Sequence, residues 1–156
     1  MFYLDPITNR RFKIGTPFSY GGAAYPSTSA NHSLFISLGF IRVEVEARPN
    51  SMFYCVAGDC KNDGTWVKSP RNVDQVKSYL IERDSETAHQ ILSSSDWMVY
   101  RAADGGIDVP AEWSTYRASV RTAHGTRAAE LNAATTIEEL ETAYGSITAW
   151  PEAPIE

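Results

Sequence analysis

The hydrophobic pattern of this chain changes its period near Ser69-Pro70, and that switch limits the fold more than any other feature. Strand side chains alternate between two faces, whereas helical neighbours recur three and four residues apart. Before the switch the chain reads as short strands broken by turns. Phe2-Tyr3-Leu4 runs into the turn signals Asp5-Pro6 and Thr8-Asn9, and Phe12-Lys13-Ile14 alternates apolar and polar. Pro17, Gly21-Gly22 and Pro26 are expected to break regular structure. Ser27-Thr28-Ser29 offers caps for a short helix over Ala30 to Leu38, with Gly39 at its C′ position. Phe40 to Glu46 alternates with period two and is the clearest strand, one face dry and one wet. Met52 to Ala57 is β-prone, and Asn62-Asp63-Gly64 predicts a hairpin into Thr65-Trp66-Val67.

After the switch the signals are helical. Asn72 can cap a long helix beginning at Val73, with Val73, Val76, Leu80, Thr87 and Ile91 in its stripe. The charged stretch Glu82-Arg83-Asp84-Ser85-Glu86 thins that stripe. Ser93 to Asp96 ends the helix and caps a short one from Trp97 to Ala103, closed by Gly105-Gly106. Pro110 suits the first turn of a third helix running to about Ala133, with Trp113, Tyr116, Val120, Ala123 and Leu131 as its stripe. Thr136 and Glu139 form a capping box for a last helix through Tyr144, ended by Gly145. Trp150 to Pro154 is proline-rich and extended. The prediction is an α+β protein: a small antiparallel β-rich, sandwich-like domain over 1–70, then an all-helical domain over 71–156. The helical stripes are narrow, closer to a coiled-coil seam than to a fully buried helix, and seams of that width suit self-association or docking.

Composition narrows the function classes. The chain has 156 residues, 43% of them hydrophobic, enough for a folded core of one domain or two small ones. Its net charge of −5 disfavours nucleic acid as a partner, since the only basic cluster is Arg10-Arg11 with Lys13. The longest nearly apolar run, Leu34 to Ile41, is far too short to span a membrane, and the first residues lack a secretory pattern. A cytosolic protein is expected. Cys55 and Cys60 supply neither a disulfide framework nor a complete zinc set. The histidines His32, His89 and His124 sit in no nucleophile motif, and the carboxylates Glu44/Glu46, Asp84/Glu86 and Glu138/Glu139/Glu141 read as solvated charge. No phosphate-binding glycine loop is present. The expectation is a binding protein with no cofactor and no catalytic residue. The aromatic-edged helices nominate Trp97, Trp113, Tyr116, Val120, Trp150 and Pro151 for partner contact or oligomerisation.

Three segments stand in a recognisable order: Ser95-Asp96-Trp97-Met98-Val99, then Val109-Pro110-Ala111-Glu112-Trp113 with Tyr116-Arg117-Ala118-Ser119-Val120-Arg121, then Trp150-Pro151-Glu152-Ala153-Pro154. Together they span roughly 90 to 155, and this region resembles the C-terminal part of bacteriophage tail-fibre assembly proteins. The resemblance implies an ATP-free chaperone of the host bacterial cytoplasm. Such a protein binds the distal β-rich part of a trimeric tail fibre, shields its unpaired edges and promotes folding and trimerisation. The β-rich domain over 1–70 is then expected to cover that fibre tip, and the helical domain over 71–156, with its extended Trp-Pro tail, to bring several copies together, a trimer being the symmetric match to a trimeric client. An adaptor retained in the phage tail or baseplate is the alternative. A small hydrolase using Asp84, Glu86 or a histidine is a more distant one.

Overall fold

The computed structural model describes residues 1–154. The chain divides into two compact units, one ending at Ser69 and the other beginning at Pro70. The fold is α+β, with antiparallel strands in small sheets followed by helices.

In the front unit, β1 (Phe2–Leu4) lies between β2 (Arg11–Phe12) and β5 (Ile41–Val43) in a three-stranded sheet. Tyr3 pairs with Phe12 on one side and Arg42 on the other, and Phe2 pairs with Val43. Because successive side chains face opposite ways, both faces of this sheet carry apolar residues. One face joins Tyr3 and Phe12 to Ala30, Phe35 and Phe40, all buried. The other joins Phe2 to Val43 and Cys60, with Trp66 packed against them. The first cluster is largely aromatic: Tyr3 stacks on Phe35 at 4.6 Å, and Phe12 stacks on Phe40 at 4.8 Å.

The β1–β2 turn is fixed by Asp5, whose buried carboxylate accepts from the Ile7 N–H and the Thr8 hydroxyl, while Asn9 adopts φ +57°. Gly21-Gly22 does not break structure as expected. It is the two-residue turn of a hairpin joining β3 (Phe18–Tyr20) to β4 (Ala23–Tyr25), both glycines having positive φ. Such a turn matches the twist of the flanking strands. Helix α1 spans only His32–Ser37, and its cap is Asn31, which accepts from the Leu34 N–H, in place of the upstream serines. Gly39 closes it as expected: Gly39 N–H bonds Ile36 O and Phe40 N–H bonds Phe35 O, a double closure that also carries Phe40 into the core.

The expected strand Phe40–Glu46 is shorter, because its partner β1 has only three residues and the ladder ends where Phe2 meets Val43. Glu44 to Glu46 is instead held by the Asn62-Asp63-Gly64 turn, where Glu46 N–H bonds Gly64 O. The turn is present, but no strand follows at once. Trp66 donates its indole N–H to Glu46 O, and the next pairing is β6 (Tyr54–Val56) with β7 (Lys68–Pro70).

The rear unit is built from α2 (Val73–Ser93), α3 (Asp96–Ala103), α4 (Ala111–Ala133) and α5 (Ile137–Gly145). The expected caps form: Asn72 accepts from Gln75 N–H, and Thr136 and Glu139 make a reciprocal capping box. Pro110 takes the N-cap of α4, one residue before the helix. Helices α2 and α4 run antiparallel along each other, and α5 packs on both. Their narrow stripes close on one another within the chain. Leu80, Val120, Leu131 and Leu140 have at most 1% of their surface exposed. Each contributes about 1.5–3 kcal/mol by leaving water.

Gly64 has φ +86°, and a Cβ there would lie 2.1 Å from the backbone oxygen of Glu44. Gly21 has φ +58° but open space around it. Gly64→Ala is therefore expected to destabilise the protein by more than about 2 kcal/mol, and Gly21→Ala by about 1 kcal/mol. Urea unfolding followed by circular dichroism ranks the two, and equal losses would contradict the Glu44 contact.

Among the described residues, four carboxylates are held below their usual range. For Asp5 the causes are the Thr8 hydroxyl and then the Ile7 N–H. For Asp63 they are the hydroxyl and N–H of Thr65. For Glu130 they are the hydroxyl and N–H of Thr148, and for Glu139 the N–H and hydroxyl of Thr135. A folded pKa below the unfolded one adds stability that is complete above the unfolded value near 4 and lost as pH falls through the folded value. Melting temperature is therefore expected to hold between pH 7 and 5 and to drop below pH 4, with a shallower drop in Thr8→Ala and Thr148→Ala variants.

Candidate interaction surface

Helix α2 ends at Ser93, and the chain turns at once into α3. The last carbonyls of a helix lack partners within it and attract cations. Arg117, from the second turn of α4 and itself buried, meets this need. Its guanidinium donates to Leu92 O at 2.7 Å, to Ser95 Oγ at 2.6 Å and to Asp96 Oδ1 at 2.7 Å. Ser95 is fully buried, and Asp96 lies in the first turn of α3, where negative charge is favoured. One arginine thus ties the end of one helix, the start of the next and the second turn of a third. Two of the three segments singled out in the sequence, those containing Ser95-Asp96 and Tyr116-Arg117, are joined by this contact.

With its start fixed in this way, α3 turns Met98 inward and leaves most of its other large side chains outside. Trp97 is 53% exposed and Tyr100 is 72% exposed. They lie three residues apart on one face, followed by Arg101, whose guanidinium sits 4.8 Å above the Trp97 ring. The helix is closed by Gly105-Gly106, with Gly106 N–H bonding Arg101 O at 3.0 Å. A Cβ on Gly106 would lie 2.7 Å from that oxygen, so only glycine lets the chain fold back so closely beside Arg101. Ile107, immediately after, is 71% exposed, and Val99 is partly exposed.

The third segment, beginning at Trp150, is held against the unit. Arg127 makes a two-pronged ion pair with Asp84, from Nε at 2.8 Å and Nη2 at 2.9 Å, and both residues are buried. Its remaining nitrogen donates to Thr148 O at 2.5 Å, and its plane lies 4.8 Å from the Trp150 ring centre. Glu130 accepts from the N–H and hydroxyl of Thr148, and Trp150 stacks on His124. The Trp150-Pro151 tail is thus strapped along α4.

The six nominated residues therefore separate. Trp97 faces solvent. Tyr116 and Val120 are buried in the single chain, Val120 with no exposed surface. Trp113 is half-buried, edge-on to Tyr116 at 5.7 Å, and Trp150 and Pro151 are half-buried at the strapped tail. Tyr100, Ile107 and Val99 were missed. The three-residue spacing from Trp97 to Tyr100 was available in the sequence, but not which side of a helix of eight residues faces out. Asp84, expected on a wet face, is instead the buried partner of Arg127.

Elsewhere, His32 is hydrogen-bonded to the Tyr3 hydroxyl, and His124 Nε2 lies 3.0 Å from Ser85 Oγ. Among the described residues no carboxylate hydrogen-bonds His124, so this Ser–His pair lacks the orienting acid of a nucleophilic triad. Cys55 is exposed and Cys60 buried, both as free thiols. Among the described residues no cluster of His, Cys, Asp and Glu could hold a metal ion, and no helix is long and apolar enough to cross a membrane. No family model, curated protein or solved structure matches the chain.

Removing one partner of a buried ion pair strands the other charge at about 3–5 kcal/mol. Asp84→Ala is therefore expected to cost the rear unit that amount, whereas Asp84→Leu with Arg127→Met should recover a large part of it. Denaturant titration of the single and double variants measures both, and a double variant as weak as the single would show that the tail contacts of Arg127 dominate.

Proposed function

We propose that this protein is an assembly chaperone of a bacteriophage tail fibre, acting as an ATP-independent binding module. The observation that carries the reading is the solvent-facing Trp97–Tyr100 edge of α3, set out by the Arg117 clamp. The segments that resemble tail-fibre assembly proteins are the ones that make this display. Asp96 and Arg117 are ion-paired, Trp97 is the exposed ring, and Trp150-Pro151 belongs to the strap that holds α4. Large exposed apolar side chains grouped on one short helix are a common mark of a partner-binding surface.

In this reading the client is a fibre whose β-rich distal part exposes unpaired strand edges while it folds, and covering them keeps the subunits soluble until they meet. Several chaperone copies around a trimeric client would hold three subunits in register. The work is done in the host bacterial cytoplasm, with binding energy alone.

Co-expression with a phage tail-fibre gene, sought next to the gene for this chain, tests the proposal. The expected outcome is a complex stable to size exclusion and a several-fold rise in soluble fibre trimer. Trp97→Ser with Tyr100→Ser should abolish that rise while leaving the chaperone's melting temperature within a few degrees of the parent. Absence of a complex, with unchanged fibre yield, would remove this function.

A further inference from the structure

Exposed acids follow the edge of α3 along the chain. Asp104 follows Trp97 and Tyr100 at the seventh and fourth positions, on the same helix face. Asp108 follows the exposed Ile107, and Glu112 lies in the first turn of α4. All three are exposed, and among the described residues none meets a cation. Arg101 lies over the Trp97 ring, and its buried Nε has no hydrogen-bond partner. The whole rear unit is acidic, with seven Lys and Arg against fourteen Asp and Glu from Pro70 onward, while residues before it have seven against five.

Two magnitudes restrict what can cover this edge. Trp97, Tyr100 and Ile107 together leave an exposed apolar area on the order of 400 Å². A stable interface between globular partners takes about 800 Å² from each side. The edge is thus sized for a short segment. A symmetric pairing of two acidic rear units would also bring like charge together, which opposes association.

We propose that the α3 edge docks a short apolar polypeptide segment flanked by Lys or Arg residues, a partner chemistry complementary to its apolar centre and to the acids that follow it. The apolar run covers Trp97 and Tyr100, and the flanking cations approach Asp104, Asp108 and Glu112. This rests on the reading of the protein as a chaperone and narrows it, since it states which parts of a client would be gripped.

Two synthetic peptides with the same central Ile/Val run, one flanked by lysines and one by glutamates, serve as probes. Binding to the full chain is followed by calorimetry. The lysine-flanked peptide is expected to bind at least ten-fold more tightly at low salt, with the gap narrowing above about 0.5 M salt as screening takes hold. Trp97→Ser with Tyr100→Ser should weaken it about ten-fold, and Asp104→Lys with Asp108→Lys should reverse the preference between the peptides. Equal affinity for both peptides, no binding of either, insensitivity to the Trp97 and Tyr100 changes, or a concentration-dependent dimer that those changes abolish would each overturn the proposal. If a fibre complex forms while the peptides fail, this inference falls and the chaperone reading stands. If the peptides bind as expected and no fibre complex forms, the reverse holds.

Discussion

The rear unit depends on two buried guanidinium groups. Arg127 lies between α2, α4 and the tail, and it satisfies the Asp84 carboxylate, the Thr148 carbonyl and the face of Trp150 at once. A buried ion pair of this kind gives little net stability over an apolar pair, because desolvation cancels much of the attraction. Its effect is on register: a forked donor accepts only one placement of its partners, and α2, α4 and the tail must meet at that level. Arg117, about three turns earlier on α4, does the same for the junction of α2 and α3.

Set on this frame, α3 behaves differently from its neighbours. Helices α2, α4 and α5 close their apolar stripes on one another, which accounts for Tyr116 and Val120 being interior residues of the single chain. In the short α3 only Met98 is buried, and Trp97, Val99 and Tyr100 remain exposed to a large degree. Unfilled apolar area on a helix pinned at its start by an arginine and at its end by a glycine turn is a rigid offering, so little ordering entropy is lost when a partner arrives. The front unit has a different economy of contacts. Its three-stranded sheet is covered on both faces, and the aromatic side is packed by α1 and the β3–β4 hairpin.

Sequence reasoning succeeded where a local rule decides the structure. The Asn72 cap, the Thr136–Glu139 box, the Gly39 closure and the Asn62-Asp63-Gly64 turn each depend on a few adjacent residues. It failed where a distant partner decided. Glu44 to Glu46 has strand periodicity but no ladder, since the neighbouring strand stops at Phe2. The pair Gly21-Gly22 was legible as a hairpin turn, yet its setting between Pro17 and Pro26 masked it. Asp84 lay within a run of charges, and only the matching height of Arg127 on α4 turned it inward.

The sequence by itself determined the α+β division, the number and order of the rear helices, their caps and the extended tail. These follow from periodicity and from the chemistry of cap and turn residues, which act over a few positions. Only the tertiary structure decided which aromatics are available to a partner. Trp97, Trp113, Tyr116 and Trp150 are alike in the sequence, and their burial depends on helix rotation. That rotation is set by Arg117 and Arg127, whose partners lie about twenty or more residues away along the chain.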